Sequence, residues 1–326
     1  MDFRLDEEQL ELQDTVRRFC ADRFALERIG EREDGRIDRT TWRELAALGV
    51  LGLVAPRGDG DAGLGVVEAA LAFEQLGAHL ATGPVLWSAL AAGRVDGVAT
   101  GDLVAGGVEA TEAEEPILVE HAAEIDALLI LREGGLFVLS RGELPACERL
   151  APLDPLTPVG RVGRLPRGTQ IAGADQATRV RRVGTVLAAS LLLGVSETAL
   201  ECSRRYALER EQFDVPIGSF QAVQHLLADM YVRTALARSA TYAAAAVLDD
   251  PEVGDPDRAG AGAKLLAGEA ALENARTAIQ IHGGMGFTWE MLPNYLLKRA
   301  WVLEHVFGDA DSQALAIGAS IEAGLA

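Results

Sequence analysis

The chain has 326 residues, of which 49% are hydrophobic and 24% are charged, a composition that excludes a disordered protein. Its formal net charge of -19 argues against free DNA or RNA as a partner, because binding to phosphates requires clustered Lys and Arg side chains. The same charge would repel an anionic substrate at long range, so such a substrate would need a local basic patch.

The cysteines and the apolar runs place further limits on the class of protein. Cys20, Cys147 and Cys202 lie far apart without CxxC spacing, which predicts inert thiols rather than a metal site or a disulfide framework. The acidic segment 1–8 has no apolar stretch typical of a signal peptide, so we expect a cytoplasmic protein. The run Val183–Val195 is shorter than the roughly 18 residues of a membrane span, which predicts a core helix.

Helical patterns dominate the first hundred residues. Asp6–Gln9 begins a helix with acidic residues in its first turn, where they complement the positive end of the helix dipole. Trp42–Leu48 and Val66–Gly77 show the apolar spacing of two further helices. Arg57–Gly65 between them is rich in Gly and Asp and predicts a loop. We therefore predict an N-terminal helical domain over residues 1–100.

Short apolar runs then replace the helical pattern. Pro116–Val119, Ala127–Leu131 and Leu136–Leu139 are of strand length. Gly134 and Gly135 separate the last two runs and predict a hairpin. We predict a short β-rich middle domain over residues 101–177.

Long helical patterns return in the last part of the chain. The four predicted helices cover Val180–Leu208, Phe220–Val247, Ala259–Ile281 and Met291–Val306. Short connections between long helices predict a four-helix bundle over residues 178–326. The predicted fold class is therefore mainly α, with an N-terminal helical domain, a short middle β-domain and a C-terminal four-helix bundle.

The connection between the first two bundle helices carries the first chemical signal. It reads R-E-Q-F-D-V-P-I-G-S-F-Q and runs from Arg210 to Gln221. The Arg210 guanidinium suits a diphosphate, because its planar fork forms charge-assisted hydrogen bonds. Phe213 offers an aromatic face to a ring. A helix connection with a solvated surface Arg is the simpler interpretation of this segment alone.

The second signal follows the third bundle helix. It reads Q-I-H-G-G-M-G-F and begins at Gln280. A glycine after a helix is typical of a C-terminal cap, but three glycines in four positions exceed what a cap needs. Gly283 and Gly284 would also let a ligand phosphate approach the backbone closely.

Together, the two segments resemble the flavin signature of the acyl-CoA dehydrogenase family. The order R-x-x-F-x-x-P-I-x-x-F-Q, followed about sixty residues later by Q-x-H-G-G-x-G-F-x-x-E, is similar to that signature. Phe3–Gln9, Trp42–Gly49 and Glu74–Gly77 agree with the family's N-terminal part. The resemblance covers both ends of the chain and the order of the three domains.

The resemblance implies FAD as cofactor, shared between two subunits. One subunit would contribute Arg210, Phe213 and Gln221 to the adenosine diphosphate part, and its neighbour would contribute Gln280, Gly283 and Gly284. In the family, a base removes the α-proton of an acyl-CoA thioester while hydride leaves the β-carbon for the flavin. The implied electron acceptor is an electron-transferring flavoprotein, and the implied process is β-oxidation in lipid metabolism.

The sequence departs from the family at the catalytic base. The family's usual base is a Glu near the end of the chain, and Gly308 stands at that position. Some members carry the Glu on the first bundle helix, where this chain has Gly184. Asp309 is the nearest carboxylate and is the candidate base, although an acidic helix cap is the simpler interpretation.

The middle domain and the basic residues depart from the family as well. The middle domain is shorter than usual, and Ala110–Glu115 only faintly resembles the segment that covers the flavin ring. Arginines on the first bundle helix could face a CoA phosphate, although a solvated helix face explains each of them more simply. They are Arg179, Arg181, Arg182, Arg204 and Arg205.

These departures leave several hypotheses. The favoured one is a subunit of a heterotetrameric acyl-CoA dehydrogenase, in which a paralogous subunit supplies the base. Because it is short, the chain resembles the smaller subunits of heteromeric bacterial enzymes. The second is a homo-oligomeric dehydrogenase with Asp309 as base. The others are a flavoenzyme resembling nitroalkane oxidase, again with Asp309 as base, and a non-catalytic flavin- or CoA-binding scaffold.

Overall fold

The computed structural model describes residues 5–56, 64–110 and 116–325, with side chains up to residue 322. Most of the predicted loop Arg57–Gly65 therefore lies outside the described residues. The same holds for residues 111–115, which make up nearly all of the Ala110–Glu115 segment. Within the described ranges the chain is mainly helical with a small region of sheet, which confirms the predicted fold class.

Nine α-helices occur in the described parts of the chain. They are α1 (Glu7–Arg23), α2 (Arg39–Ala47), α3 (Val66–Ala78), α4 (Val85–Ala91), α5 (Ala174–Glu209), α6 (Gln221–Asp249), α7 (Pro256–His282), α8 (Leu292–Glu304) and α9 (Ala310–Leu325). The first begins where the acidic pattern predicts, because the Asp6 carboxylate accepts a hydrogen bond from the Gln9 backbone and the Gln9 side chain accepts one from the Asp6 backbone. Asp38 and Asp255 cap α2 and α7 in a similar way.

By internal contacts the chain forms two compact units. The first comprises Met1–Gly30, Ala70–Leu80 and Thr185–Ala326, and the second comprises Glu31–Ala69 and Ala81–Gly184. The predicted domains, 1–100, 101–177 and 178–326, follow instead the change of secondary structure along the chain. As independent folding domains they remain a prediction, because helices α3 and α5 each belong partly to both compact units.

The second unit contains two small sheets. Their strands are β1 (Ala105–Glu109), β2 (Ile117–Glu120), β3 (Ala127–Arg132), β4 (Gly135–Ser140), β5 (Glu148–Leu150), β6 (Val159–Val162) and β7 (Thr169–Ala172). One sheet has the order β1-β3-β4-β7 and the other β2-β6-β5. The predicted hairpin is confirmed: β3 and β4 are antiparallel, with Arg132 opposite Gly135.

The first unit is built on the long helices. The predicted helices α5 to α8 are confirmed, and α9 follows them and packs on α7 together with α8. Helices α3 and α5 touch backbone to backbone at two glycines. A Cβ atom at Gly77 would lie 2.1 Å from the Leu191 carbonyl oxygen, and one at Gly194 would lie 2.0 Å from the Glu74 carbonyl oxygen. Only glycine permits this approach.

Helix α5 is the one helix in the described ranges whose length and apolar composition would suffice to cross a membrane. Within its most apolar window, 83% of the residues are buried inside the chain. This burial agrees with the predicted core helix, since a core helix satisfies the same length and composition criteria.

Candidate functional site

A tight turn after α5 presents Phe213 to the surface. Strands β8 (Glu211–Gln212) and β9 (Val215–Pro216) pair on either side of Phe213 and Asp214. Both turn residues have left-handed backbone conformations, with φ of 54° and 64°. Asp tolerates such a conformation, whereas it is costly for an aromatic residue such as Phe213, and costly conformations cluster at functional sites. The Phe213 side chain is 88% exposed.

Arg210 and Gln221 flank this turn. The Arg210 carbonyl accepts a hydrogen bond from the Ile217 backbone at 2.8 Å, which closes the base of the turn. The exposed Arg210 guanidinium has no hydrogen bond or ion pair with any described residue, so it is available to an anion. Gln221 is exposed as the first residue of α6.

The glycines after α7 are glycine for different structural reasons. Gly283 ends the helix with φ of 63°, which favours glycine. Gly286 is required by packing, because a Cβ atom there would lie 2.8 Å from the Ile279 carbonyl oxygen. At Gly284, a Cβ atom would meet nothing within 4 Å. The chain's own packing therefore gives no reason for glycine at 284, whereas close approach of a ligand to the backbone would.

The predicted cofactor residues lie at one end of the helical unit. The end of α5, the start of α6 and the end of α7 meet there, because Tyr206 stacks on His282 with ring centroids 4.1 Å apart. A guanidinium without a partner, an exposed aromatic ring and an open glycine backbone suit the diphosphate and ring of a dinucleotide. All of these groups are exposed, so a second surface is needed to enclose the ligand.

Neither family base position has a carboxylate. Gly184 is buried within α5. Gly308 has φ of 89°, and a Cβ atom there would lie 2.6 Å from the Gln313 side-chain nitrogen. The buried Lys264 ammonium donates to the Gly308 carbonyl at 3.0 Å and to the Glu304 carbonyl at 2.7 Å. These contacts hold the 304–308 connection in a conformation whose positive φ would strain a larger residue at 308, and a side chain there would require Gln313 to move.

Asp309 caps helix α9. Its Oδ1 accepts hydrogen bonds from the Ser312 backbone N–H at 2.9 Å and from the Ser312 hydroxyl. These bonds, the hydroxyl's first, lower the pKa of Asp309 below its usual value. A carboxylate held in this way is a weaker proton acceptor, so the geometry favours the capping interpretation over the predicted role as base.

Glu74, Arg238 and Tyr242 form a buried polar cluster that the sequence did not predict as a site. In the sequence, Glu74 was noted as part of a motif that resembles the family. Glu74 is 2% exposed and accepts hydrogen bonds from Arg238 at 3.2 Å and from the Tyr242 hydroxyl. Burial raises the pKa of Glu74 to about 7, although Arg238 and Tyr242 act in the opposite direction. The available signal was a carboxylate that directly follows the apolar segment Ala69–Phe73 within a helical pattern.

Two of the arginines considered for CoA phosphates already form ion pairs with acidic side chains. Arg181 forms an ion pair with Glu109 at 3.0 Å. Arg204 forms one with Glu201 at 2.8 Å. As for metals, no group of three or more His, Cys, Asp or Glu side chains among the described residues is placed to hold an ion.

Comparison with known proteins identifies the family. The model of the acyl-CoA dehydrogenase N-terminal domain matches residues 6–99, and that of the C-terminal domain matches residues 172–322. Acyl-CoA dehydrogenase IpdE2 from Mycobacterium tuberculosis is 31% identical over 90% of this chain and 91% of its own length. Acyl-CoA dehydrogenase FadE27 from the same organism is 30% identical over 87% of this chain and 88% of its own length.

A solved structure agrees over the whole fold. A chain from the crystal structure of the ChsE4–ChsE5 complex from Mycobacterium tuberculosis superposes with a TM-score of 0.83. It is 27% identical and covers 99% of both chains. The chain therefore belongs to the acyl-CoA dehydrogenase family. Membership places it among the FAD-dependent oxidoreductases that act on the CH–CH bond of acyl-CoA thioesters.

Proposed function

We propose that this chain is a subunit of a hetero-oligomeric acyl-CoA dehydrogenase, in which it completes an FAD site and a paralogous subunit supplies the catalytic base. The observation that carries the proposal is Gly308, a residue without a proton acceptor at the family's base position. Its φ of 89° would strain any larger residue, and a side chain there would require Gln313 to move. A subunit without a base at this position fits an enzyme in which the partner subunit supplies the base.

The FAD contacts would be divided between two subunits. Arg210, Phe213 and Gln221 would hold the adenosine diphosphate part of one FAD, and the backbone at Gly283 and Gly284, together with Gln280, would contact an FAD held mainly by the neighbour. When bound, FAD accepts hydride from the β-carbon of the acyl thioester. The protein's contribution on this side is binding and orientation.

Exposed apolar side chains near these residues favour a protein partner. Val215, Phe220, Met285, Phe287 and Trp289 are 37–70% exposed. Aromatic and Met side chains are enriched in the buried cores of protein interfaces. Because they flank the cofactor residues, burying them would also help to enclose the flavin.

The comparisons support a heteromeric assembly. The ChsE4–ChsE5 structure is a complex of two different proteins. A heterotetramer of two such pairs is the proposed assembly. The proposal includes an acyl-CoA thioester as substrate, an electron-transferring flavoprotein as acceptor, a place in β-oxidation and a cytoplasmic location.

The alternatives place the chemistry elsewhere. A homo-oligomeric dehydrogenase, or an enzyme resembling nitroalkane oxidase, would need Asp309 as base, but its Oδ1 caps α9. A non-catalytic scaffold would bind flavin or CoA without turnover. The unpartnered Arg210 agrees with flavin binding under each of these hypotheses. Only a measurement of activity distinguishes them.

The test is expression of the chain alone and together with its paralogue. We expect the pair to copurify with FAD, and the flavin absorbance to bleach when acyl-CoA is added anaerobically. The isolated chain should not bleach. In the pair, replacing the paralogue's base should abolish bleaching, whereas Asp309→Ala should leave its rate unchanged. Bleaching of yellow protein obtained from this chain alone would overturn the proposal.

A further inference from the structure

A large cavity lies among the long helices, apart from the proposed cofactor residues. Helices α1, α3, α5 and α6 provide most of its lining, and all of its lining residues belong to the first compact unit. Its volume of about 1110 Å³ slightly exceeds the roughly 300–1,000 Å³ of pockets that hold small ligands. None of the residues assigned to FAD, and neither base position, lines this cavity. It is therefore a candidate for a separate ligand.

Leucine side chains supply the apolar part of the lining. Six leucines line the cavity and none of them is buried within the chain, namely Leu5, Leu10, Leu26, Leu200, Leu227 and Leu292. Single exposed leucines on a surface are ordinary, whereas apolar side chains that converge on one concave surface mark a binding site. A ligand with an apolar body would remove the exposed part of these side chains from water.

The charged side chains of the lining form a balanced set. Four arginines and four acids occur among the described lining residues, and each arginine forms an ion pair within the set. The pairs are Arg17 with Asp14, Arg204 and Arg205 with Glu201, and Arg238 with both Glu74 and Glu197. Burial raises the pKa of Glu74 to about 7, so at pH 8.5 this acid is also ionised and the charges of the set cancel.

A charged ligand would find no unpaired counter-ion in this set. It would lose its hydration and then have to compete with an existing ion pair, and removing an ion from water without a partner is costly. Even the long Arg205–Glu201 pair, at 3.9 Å, could be broken only by leaving one of its two charges without this partner. An uncharged ligand avoids this cost and still buries the leucines.

From the leucine lining and the balanced charges, we infer that the cavity binds an uncharged, lipid-like molecule such as a long-chain alcohol. Its apolar body would lie against the leucines, and the ion pairs around it would stay intact. The inference is independent of the proposed function, because it uses none of the FAD residues and requires no catalytic base.

Competition with the uncharged fluorescent dye Nile red tests the inference at pH 8.5. The full-length chain and the co-expressed pair are each saturated with the dye, which is then displaced by 1-decanol, decanoate or decyltrimethylammonium below their aggregation concentrations. We expect the Kd of 1-decanol to be about tenfold or more below that of either ion, since each ion loses hydration without gaining a partner. 1-Octanol should bind about tenfold more weakly than 1-decanol, because it has two fewer methylene groups to bury.

Two neighbouring leucines of α6 locate the binding. Leu226 and Leu227 are both half-buried, but Leu227 lines the cavity and Leu226 does not. Leu227→Asn should raise the Kd of 1-decanol about fivefold or more, and the matched control Leu226→Asn should leave it unchanged. Ala228→Trp changes an exposed lining residue, so the chain should still fold, and its side chain should weaken both dye and 1-decanol by filling the cavity.

A charge variant tests the selection against ions. Glu201→Gln frees Arg204 and Arg205, so it should lower the Kd of decanoate about tenfold or more and leave that of 1-decanol unchanged. Glu273→Gln is the matched control, because Glu273 also pairs with an arginine three residues later, Arg276, but does not line the cavity.

Four outcomes would overturn the inference. They are the absence of saturable dye binding, ions that bind as tightly as 1-decanol, equal effects of the Leu226 and Leu227 variants, and an unchanged preference in Glu201→Gln. Binding of 1-decanol to the isolated chain but not to the co-expressed pair would show that a partner subunit fills the cavity, and would overturn the inference as well.

Discussion

The Tyr206 ring lies parallel to the His282 imidazole, with centroids 4.1 Å apart and planes inclined by 22°. Burial lowers the pKa of His282, so its imidazole is neutral in this stack at neutral pH. Tyr206 belongs to the last turn of α5 and His282 is the last residue of α7. The contact therefore fixes the Arg210 turn relative to the glycines at 283 and 284.

Replacing Tyr206 with Leu should loosen this connection. An aromatic pair contributes about 0.5–1.5 kcal/mol beyond its buried area. We expect Tyr206→Leu to lower the free energy of unfolding by about 1 kcal/mol and to reduce the FAD retained by the subunit pair. Tyr206→Phe keeps the ring and serves as control. Flavin absorbance per mole of protein and chemical denaturation measure both effects, and equal FAD content in the two variants would contradict the prediction.

Arg210→Gln should weaken FAD binding directly. A hydrogen bond to a charged group contributes about 1.5–3 kcal/mol, which corresponds to a dissociation constant about 10- to 100-fold higher. Arg258→Gln, an exposed arginine in the first turn of α7, is the control. Titration of the apo pair with FAD, followed by fluorescence quenching, gives both constants. If Arg210→Gln binds FAD as tightly as the control, Arg210 has no contact with the cofactor.

Asp309→Ala should affect stability rather than catalysis. The substitution removes the acceptor for the Ser312 backbone and hydroxyl groups, which cap α9. Loss of such a cap should lower the thermal unfolding midpoint by about 1–4 °C. Asp309→Asn, which keeps an oxygen acceptor, should lower it less. The rate of flavin reduction by acyl-CoA in the pair should be the same for all three proteins, and a large loss in the alanine variant would restore Asp309 as the base.

Gly194→Ala should be strongly destabilising. The added methyl group would collide with the Glu74 backbone, so α3 and α5 would have to separate. Overpacking of this kind costs about 1–3 kcal/mol or more. Gly262→Ala is the opposite case, because it lies in α7 with nothing within 4 Å of the added atom. We expect that variant to be neutral or up to about 1 kcal/mol more stable. Denaturant unfolding should show a clearly lower free energy of unfolding for Gly194→Ala and no loss for Gly262→Ala.

Glu74 should make stability depend on pH. Burial raises its pKa from 4.5 to about 7, so between these values the folded chain keeps a proton that the unfolded chain has lost. Stability from this residue is therefore highest below pH 4.5 and falls as the pH rises to 7. The total fall is on the order of 3 kcal/mol.

Glu74→Gln cannot ionise and should lack this fall. The free energy of unfolding of the unmodified chain, measured with denaturant from pH 5 to 8, should decrease relative to that of Glu74→Gln. Glu252→Gln, at an exposed position, should follow the unmodified chain. Parallel pH profiles for the unmodified chain and Glu74→Gln would show that Glu74 has the same pKa in both states.

The helices and the hairpin could be predicted because their signals are local. The acidic helix start at Asp6–Gln9, the Gly134-Gly135 hairpin and the apolar periodicity of α5 to α8 depend on residues close in the chain, and each occurs as predicted. The role of Asp309 could not be decided from the sequence, which left both a helix cap and a substitute base open. The hydrogen bonds from Ser312 favour the cap.

Pairings between distant residues could not be predicted. Glu74 and Arg238 are 164 residues apart, and nothing in either local sequence indicates that they meet. The compact units likewise join segments that are distant along the chain.

The sequence by itself determined the family, the secondary structure and the absence of a carboxylate at positions 184 and 308. Each of these is a property of residue identity and local spacing. Only the tertiary structure decided that Gly308 has a left-handed backbone conformation, that Asp309 caps a helix and that the buried Glu74 meets Arg238. These outcomes depend on which side chains approach one another through space, and packing fixes that only when the whole chain is folded.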